Sequence, residues 1–265
     1  MEYFGKITKM SAKLDHQIIY YLNIGDDSVA LNNQLGKNIK INFEGKINCI
    51  KCNAKINKTF MQGYCYPCFI SSPQTSECIF KPHLCKAHLG ESRDMEWATK
   101  NCLTNQYVYL SITSNLKVGV TRESQIPTRW IDQGAHYAIK FAKTPNRYLA
   151  GMIELEISKY ISDRTNWRRM LQGNYEIKDL LDEKNNLIKM LPDQYFEYIS
   201  KNNTITSITY PNINNLDKIK SINIEKTPSA EGMLTGIKGQ YLIIDNLYVL
   251  NVRKYTGYYL NIKIN

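Results

Sequence analysis

Tyr107-Val108-Tyr109-Leu110-Ser111-Ile112 is followed, after a turn at Asn115, by Leu116-Lys117-Val118-Gly119-Val120. Both runs are rich in β-branched and aromatic residues, which fit a pleated, half-buried surface. Two such runs divided by a short turn predict a β-hairpin. Downstream, Ser124 offers a cap for a short helix with Pro127 in its first turn, carrying Arg129 and Trp130 and stopping at Gly134. Tyr137, Ile139 and Phe141 then alternate as a third strand. From about Pro145 to Ile161, apolar residues such as Leu149, Ile153 and Ile157 recur at helical spacing. Ser162-Asp163-Arg164-Thr165-Asn166 breaks that helix, and Asp163, Thr165 and Asn166 are capping chemistry for another starting near Trp167. The order hairpin, helix, strand, helix makes residues 105–172 an α/β domain. Helical patterns continue over 177–190 and 193–200, separated by Pro192, in a helical segment spanning 173–203.

Upstream, all seven cysteines lie between Cys49 and Cys102. Cys49-Ile-Lys-Cys52 and Cys65-Tyr-Pro-Cys68 are two Cys-x-x-Cys knuckles. Each knuckle turns two thiolates toward one point, and two together complete a tetrahedral zinc shell. Cys78, Cys85, His88 and Cys102 are expected to close a second shell of three thiolates and one imidazole. His83 competes as the fourth ligand, but the knuckle-like spacing of Cys85 and His88 favours His88. Full four-ligand shells leave no open position, so both zinc sites are expected to be structural. Disulfides are the rival explanation, yet Met1-Glu2-Tyr3-Phe4 has no basic region followed by an apolar run, so a cytoplasmic chain with reduced thiols is expected. Residues 49–104 are therefore read as a zinc-ribbon-like module in which metal replaces a core too poor in apolar side chains.

The ends read as β. Ile18–Leu22 and the alternating Lys37–Phe43 are strand-like in an N-terminal segment, 1–48. A C-terminal segment, 204–265, offers Ile205–Tyr210, Ser221–Ile224, Tyr241–Ile244, Leu247–Val252 and Tyr258–Ile264. Neither has enough residues for its own core, so the two are expected to pack together. Asparagine-rich loops fall at 202–203 and 212–215.

Charge narrows the partner. The net charge is +10, and residues 100–170 alone carry 11 basic against 5 acidic side chains. A concentrated excess suits a polyanion, with nucleic-acid phosphate the obvious one, although a solubilising surface would carry the same charge. Lys117, Arg122, Arg129, Arg164, Arg168 and Arg169 are candidates for a phosphate-binding patch. Lys51, Lys55, Lys58, Tyr64 and Tyr66 could add charge and stacking surface beside the first knuckles. No apolar run approaches the ~20 residues of a membrane span, so no membrane partner is expected.

The stretch 107–166 resembles the GIY-YIG nuclease domain. Val108-Tyr109 matches its first motif, Lys117-Val118-Gly119-Val120-Thr121 its second, Arg129 in Thr-Arg-Trp its helix arginine, and Glu154 in Met-Ile-Glu-Leu-Glu its metal carboxylate. Over nearly its whole length the chain also resembles an uncharacterised bacterial family known as a domain of unknown function. That likeness rests on Cys-Tyr-Pro-Cys, Lys-Val-Gly-Val-Thr-Arg, Pro-Thr-Arg-Trp-Ile-Asp-Gln-Gly-Ala and Asp-Arg-Thr-Asn-Trp-Arg. The nuclease resemblance implies that Tyr109 orients or deprotonates water, Arg129 stabilises the phosphoryl charge, and Glu154 holds Mg2+. Two features depart from that pattern. Lys117 stands where the second motif has tyrosine, and Glu156, on the apolar face of the helix, rivals Glu154 as the carboxylate. The expected function is thus a zinc-stabilised, nucleic-acid-binding protein with little or no cleavage. A Mg2+-dependent endonuclease and a scaffold for an acidic protein partner are the alternatives.

Overall fold

The computed structural model describes residues 1–211 and 216–265; the asparagine-rich stretch 212–215 lies outside the described residues. The chain is mixed α+β, with three sheets among the described residues. It divides into two compact units, Met1–Ile70 with Leu171–Gly173 and Thr209–Asn265, and Ser71–Met170 with Asn174–Ile208.

The first unit is built on pairing between the two ends of the chain. Strand Asn38–Asn48 lies between Tyr258–Ile264 and Ser229–Lys238, antiparallel to both, and Glu2–Lys6 extends the sheet beyond Tyr258–Ile264. Ile39 and Ile41 pair with Ile264 and Ile262, and all four are buried. Strict alternation over Asn38–Ile41 therefore turns one face of the strand to the core. A separate three-stranded sheet is made by Ser11–Lys13, Ile19–Ile24 and Asp27–Ala30. The glycine-rich stretch from Gly232 is mostly strand, and the turn falls at Gly239, where φ is +60°.

In the second unit a four-stranded antiparallel sheet runs in the order Thr206–Ser207, Tyr137–Thr144, Gln106–Ile112, Leu116–Arg122. Every residue of Gln106–Ile112 is buried, as a central strand covered on both faces requires. Val108, Leu110 and Ile112 share a core with Ile153 and Ile157 of helix Arg147–Ile157 and with Leu180 and Leu187 of helix Leu180–Lys189. That shared core explains why the helical segment read as 173–203 does not stand alone: its apolar stripe is covered by the sheet. Gly151 permits the closest approach, because a Cβ there would come within 2.1 Å of the His83 amide nitrogen.

Several expected elements shift. The arginine-bearing helix is Thr128–Asp132, preceded by Pro127, and Ser124 lies in a separate turn at Glu123–Gln125 instead of capping it. The next helix starts at Arg147, where Asn146 accepts the Leu149 amide at 2.9 Å, and ends at Ile157. Of the strand expected at 205–210, Thr206–Ser207 alone forms a strand, against Tyr137–Ala138 of the second unit. The cysteine-rich stretch read as one module is shared: Cys49–Cys68 lies in the first unit, and Cys78–Cys102 in the second.

Candidate functional site

Two groups of cysteines are positioned to hold a metal ion. The sulfurs of Cys49, Cys52, Cys65 and Cys68 all lie within 4.8 Å of one another, as do those of Cys78, Cys85 and Cys102. In the first group, Asn38–Asn48 delivers the chain to Cys49, where Cys49 N donates to Ala54 O at 2.9 Å and Ile50 N to Gly63 O at 2.9 Å. These bonds fold residues 49–64 back on themselves. The Lys51 amide donates to the Cys49 sulfur at 3.4 Å. Burial opposes ionisation of Cys49, yet the amides of Cys52, Cys65 and Lys51 aimed at its sulfur bring its pKa down to about 6. Amides that anticipate a thiolate suit a metal-binding knuckle.

In the second group, three short turns between Glu77 and Leu89 carry Cys78 and Cys85, and Cys102 ends helix Met95–Asn101, which Asp94 caps. His88, expected as the fourth ligand, is not in the cluster; its ring stacks on Tyr148 with centroids 4.3 Å apart. The turn Ala87–Leu89 directs the imidazole toward helix Arg147–Ile157. His83 does not join the cluster either. Arg147 does contact it: its guanidinium hydrogen bonds Cys102 and also Asn101 O, at 3.2 Å. The sequence carries a signal for this residue. A cation at the first position of a helix is unfavourable beside the dipole unless an anion answers it.

A third constellation joins four parts of the second unit: the hairpin, helix Thr128–Asp132, helix Arg147–Ile157 and the 162–166 loop. Tyr109, fully buried, lies opposite Gly119 in the hairpin register. A Cβ at 119 would stand 2.6 Å from the tyrosine oxygen, so only glycine lets the ring cross the sheet there. The phenol donates to Gln133 Oε1 at 2.8 Å and is also hydrogen bonded with Arg129. Lys117, 5% exposed, is held by Val118 N donating to Ser162 O at 3.1 Å. Arg129, Glu154 and Asp163 all act electrostatically on Lys117.

Electrostatics in this cluster are unbalanced. Burial, then the neighbouring Asp163, pushes the Glu154 carboxyl up to about 7 against the attraction of Lys117 and Arg129. Burial, then Arg129, brings the Lys117 ammonium down to about 8 against Asp163 and Glu154. Burial raises the Tyr109 phenol as well. Each charged form is costly without a partner from outside. Glu156, the rival carboxylate, is instead ion-paired with Lys159, just past the end of its helix.

The other basic candidates are spread out. Arg122 is an odd number of residues from Lys117 on the same strand and so faces the other way; it senses Arg147 and Cys102. Arg164 is exposed beside Asp163, 3.8 Å away, and Arg168 lies over the Trp167 ring at 4.3 Å. Arg169 lines a cavity of about 560 Å3 with Ser162, Tyr160 and Lys178. Gln133 and Asp163 are the members of the cluster that sequence reasoning missed. Along the chain Asp163 reads as capping chemistry, but the side chain that caps the following helix is Asn166, whose Oδ1 accepts the Arg169 amide at 3.2 Å.

No helix among the described residues is long and apolar enough to cross a membrane. The chain matches the model of the family described as protein of unknown function DUF2797 over residues 36–260, and it belongs to that family. No curated protein and no solved structure matches it.

Proposed function

For this DUF2797 member we propose a zinc-stabilised, nucleic-acid-binding protein on a GIY-YIG-like scaffold, whose cluster at Lys117, Arg129 and Glu154 takes a backbone phosphate with little or no cleavage. One observation carries the reading. Arg129 and Glu154, which the nuclease resemblance implies, and Lys117, which stands where its second motif has tyrosine, act electrostatically on one another beside the buried Tyr109. A phosphate docking beside Lys117 would favour its charged form, and Arg129 can offer paired donors to the phosphate oxygens. Hydrolysis is a different matter. Tyr109 is buried, bonded to Gln133 and Arg129, and has its pKa raised, so its phenol is a poor base for water. Lys117 occupies the place of the second tyrosine and binds phosphate without activating water.

Four mutually close thiolates fit Zn2+, a borderline-soft ion that favours tetrahedral sulfur. Cys49, Cys52, Cys65 and Cys68 would hold it in the first unit, and Cys78, Cys85 and Cys102 in the second. Such thiolates must stay reduced, which suits a cytoplasmic protein. Beside the first set, Lys58 lies over the Phe60 ring, and Phe60 packs on the exposed Tyr66 at 5.3 Å. With the exposed Lys51 and Lys55, this face pairs charge with stacking surface for a single strand.

The test is a salt titration with fluorescent DNA and RNA, single- and double-stranded. Binding should weaken steeply with salt, and Arg129→Ala should lower the slope by about one counterion. A wild type that binds none of them overturns the proposal. The second reading, a Mg2+-dependent endonuclease, is favoured by Glu154 and Asp163 standing close enough to repel each other, a pair that a divalent cation would relieve. Product formation that requires Mg2+ and fails in Glu154→Gln would establish it.

A further inference from the structure

The two cysteine clusters differ in a way that the number of cysteines alone does not explain. The second has three sulfurs, and Cys78, Cys85 and Cys102 also line a cavity of about 280 Å3 with Ser92, Arg93 and Trp97. Among the described residues no histidine, carboxylate or fourth cysteine joins them. His88, expected as the fourth ligand, is stacked on Tyr148. Zinc sites that keep three protein ligands take the fourth from the solvent side, whereas four-ligand sites are closed. Charge points the same way. Three thiolates around a divalent ion leave one net negative charge. The Arg147 guanidinium, nine-tenths buried and hydrogen bonded to Cys102, offsets it. Its Nε has no hydrogen-bond partner of its own. A monoanion entering this shell would therefore leave it less negative than four thiolates alone around the same ion, because the Arg147 guanidinium offsets one charge. On the cavity wall Lys86 and Arg93 are balanced by Glu77 and Glu91, with Lys86 paired to Glu91 at 3.3 Å, and Trp97 and Leu84 give it an apolar side; the cation that acts on the sulfurs is Arg147.

We propose that Cys78, Cys85 and Cys102 form an open three-thiolate metal centre whose fourth position faces the cavity and accepts an exogenous thiolate or comparable small monoanion. Binding exchanges one ligand for another on the metal: a bound water leaves, the thiolate sulfur coordinates, and a thiol releases its proton to solvent. No electrons move. The proposal is independent of nucleic-acid binding, which uses a different cluster.

The test uses the full chain loaded with two equivalents of Co2+, whose ligand-field bands report the donor set. Adding 2-mercaptoethanol or thiocyanate should change the bands saturably at one ligand per chain. His88→Ala should bind two Co2+, show the same bands and respond identically. Cys85→Ser should lose the response while keeping the spectrum of the first site. In the zinc-loaded wild type, a long-range nitrogen–proton spectrum should show His88 as a free imidazole. Bands that ignore both ligands, a metal-bound His88 signature, or stoichiometry of one Co2+ per chain would each overturn the proposal.

Discussion

The four-cysteine cluster and the cluster around Glu154 both draw titratable side chains out of water, and they are held in opposite ways. The first is local, within Cys49–Cys68, and backbone amides are already aimed at its charge, as at Lys51 and Cys49. The second is assembled from distant segments, and its charges are answered mainly by one another. Burial outweighs those attractions, so the Glu154 carboxyl is pushed up and the Lys117 ammonium down. A site that satisfies itself, with metal, is a structural device. A site whose charged forms are disfavoured by burial, and only partly compensated by one another, holds electrostatic free energy that a ligand can release.

Removing metal from the first cluster should have the largest effect. Metal bound in a structural shell contributes on the order of 10 kcal/mol that is folding free energy. Cys52→Ala or a strong chelator should thus abolish the cooperative melting of the first unit, read by calorimetry. An unchanged transition would break the contrast. Next is Arg129→Ala, which removes a charged donor from phosphate and should weaken nucleic-acid binding by about 2 kcal/mol, roughly thirtyfold. Circular dichroism should confirm an intact fold.

The pH dependence of binding sharpens the comparison further. Lys117 is charged below about 8, so affinity should fall as pH rises through that value, by about tenfold or ~1.4 kcal/mol. Lys117→Arg stays charged and should flatten the profile between pH 7 and 9. The smallest effect concerns stability. The Glu154 pKa is raised in the fold to about 7, so the folded state holds a proton that the unfolded chain releases near 4.5. Its contribution is therefore intact below about 4.5 and is lost as pH rises toward 7. Glu154→Gln should be more stable than wild type at pH 8 by on the order of 1 kcal/mol, and equal to it at pH 4. Equal stability at both pH values would mean that Glu154 is well solvated.

Much of this was legible along the chain. Alternation at Ile39 and Ile41 gave the core face of the long strand, and the knuckle spacing gave the four-cysteine cluster. Tyr109, Arg129 and Glu154 were reachable through the hairpin–helix–strand–helix order. What was not legible depended on long-range contact. Nothing local pairs Thr206 with Ala138, or turns His88 onto Tyr148 and away from Cys85. Arg122 could have been separated from Lys117 by strand periodicity alone, since odd spacing puts them on opposite faces. Asp163 and Gln133 become members of a site only once the loop and the helix end meet the hairpin.

The central claim, that the Lys117–Arg129–Glu154 cluster holds phosphate without cutting, is tested most directly by reading binding and products from the same samples. Labelled DNA and RNA are incubated with Mg2+ or Mn2+ and with wild type, Arg129→Ala or Lys117→Tyr, then run on native and denaturing gels. The account predicts shifted, uncut nucleic acid with wild type and a weakened shift with Arg129→Ala. Cleavage by the wild type, or a shift that survives both substitutions unchanged, would contradict it.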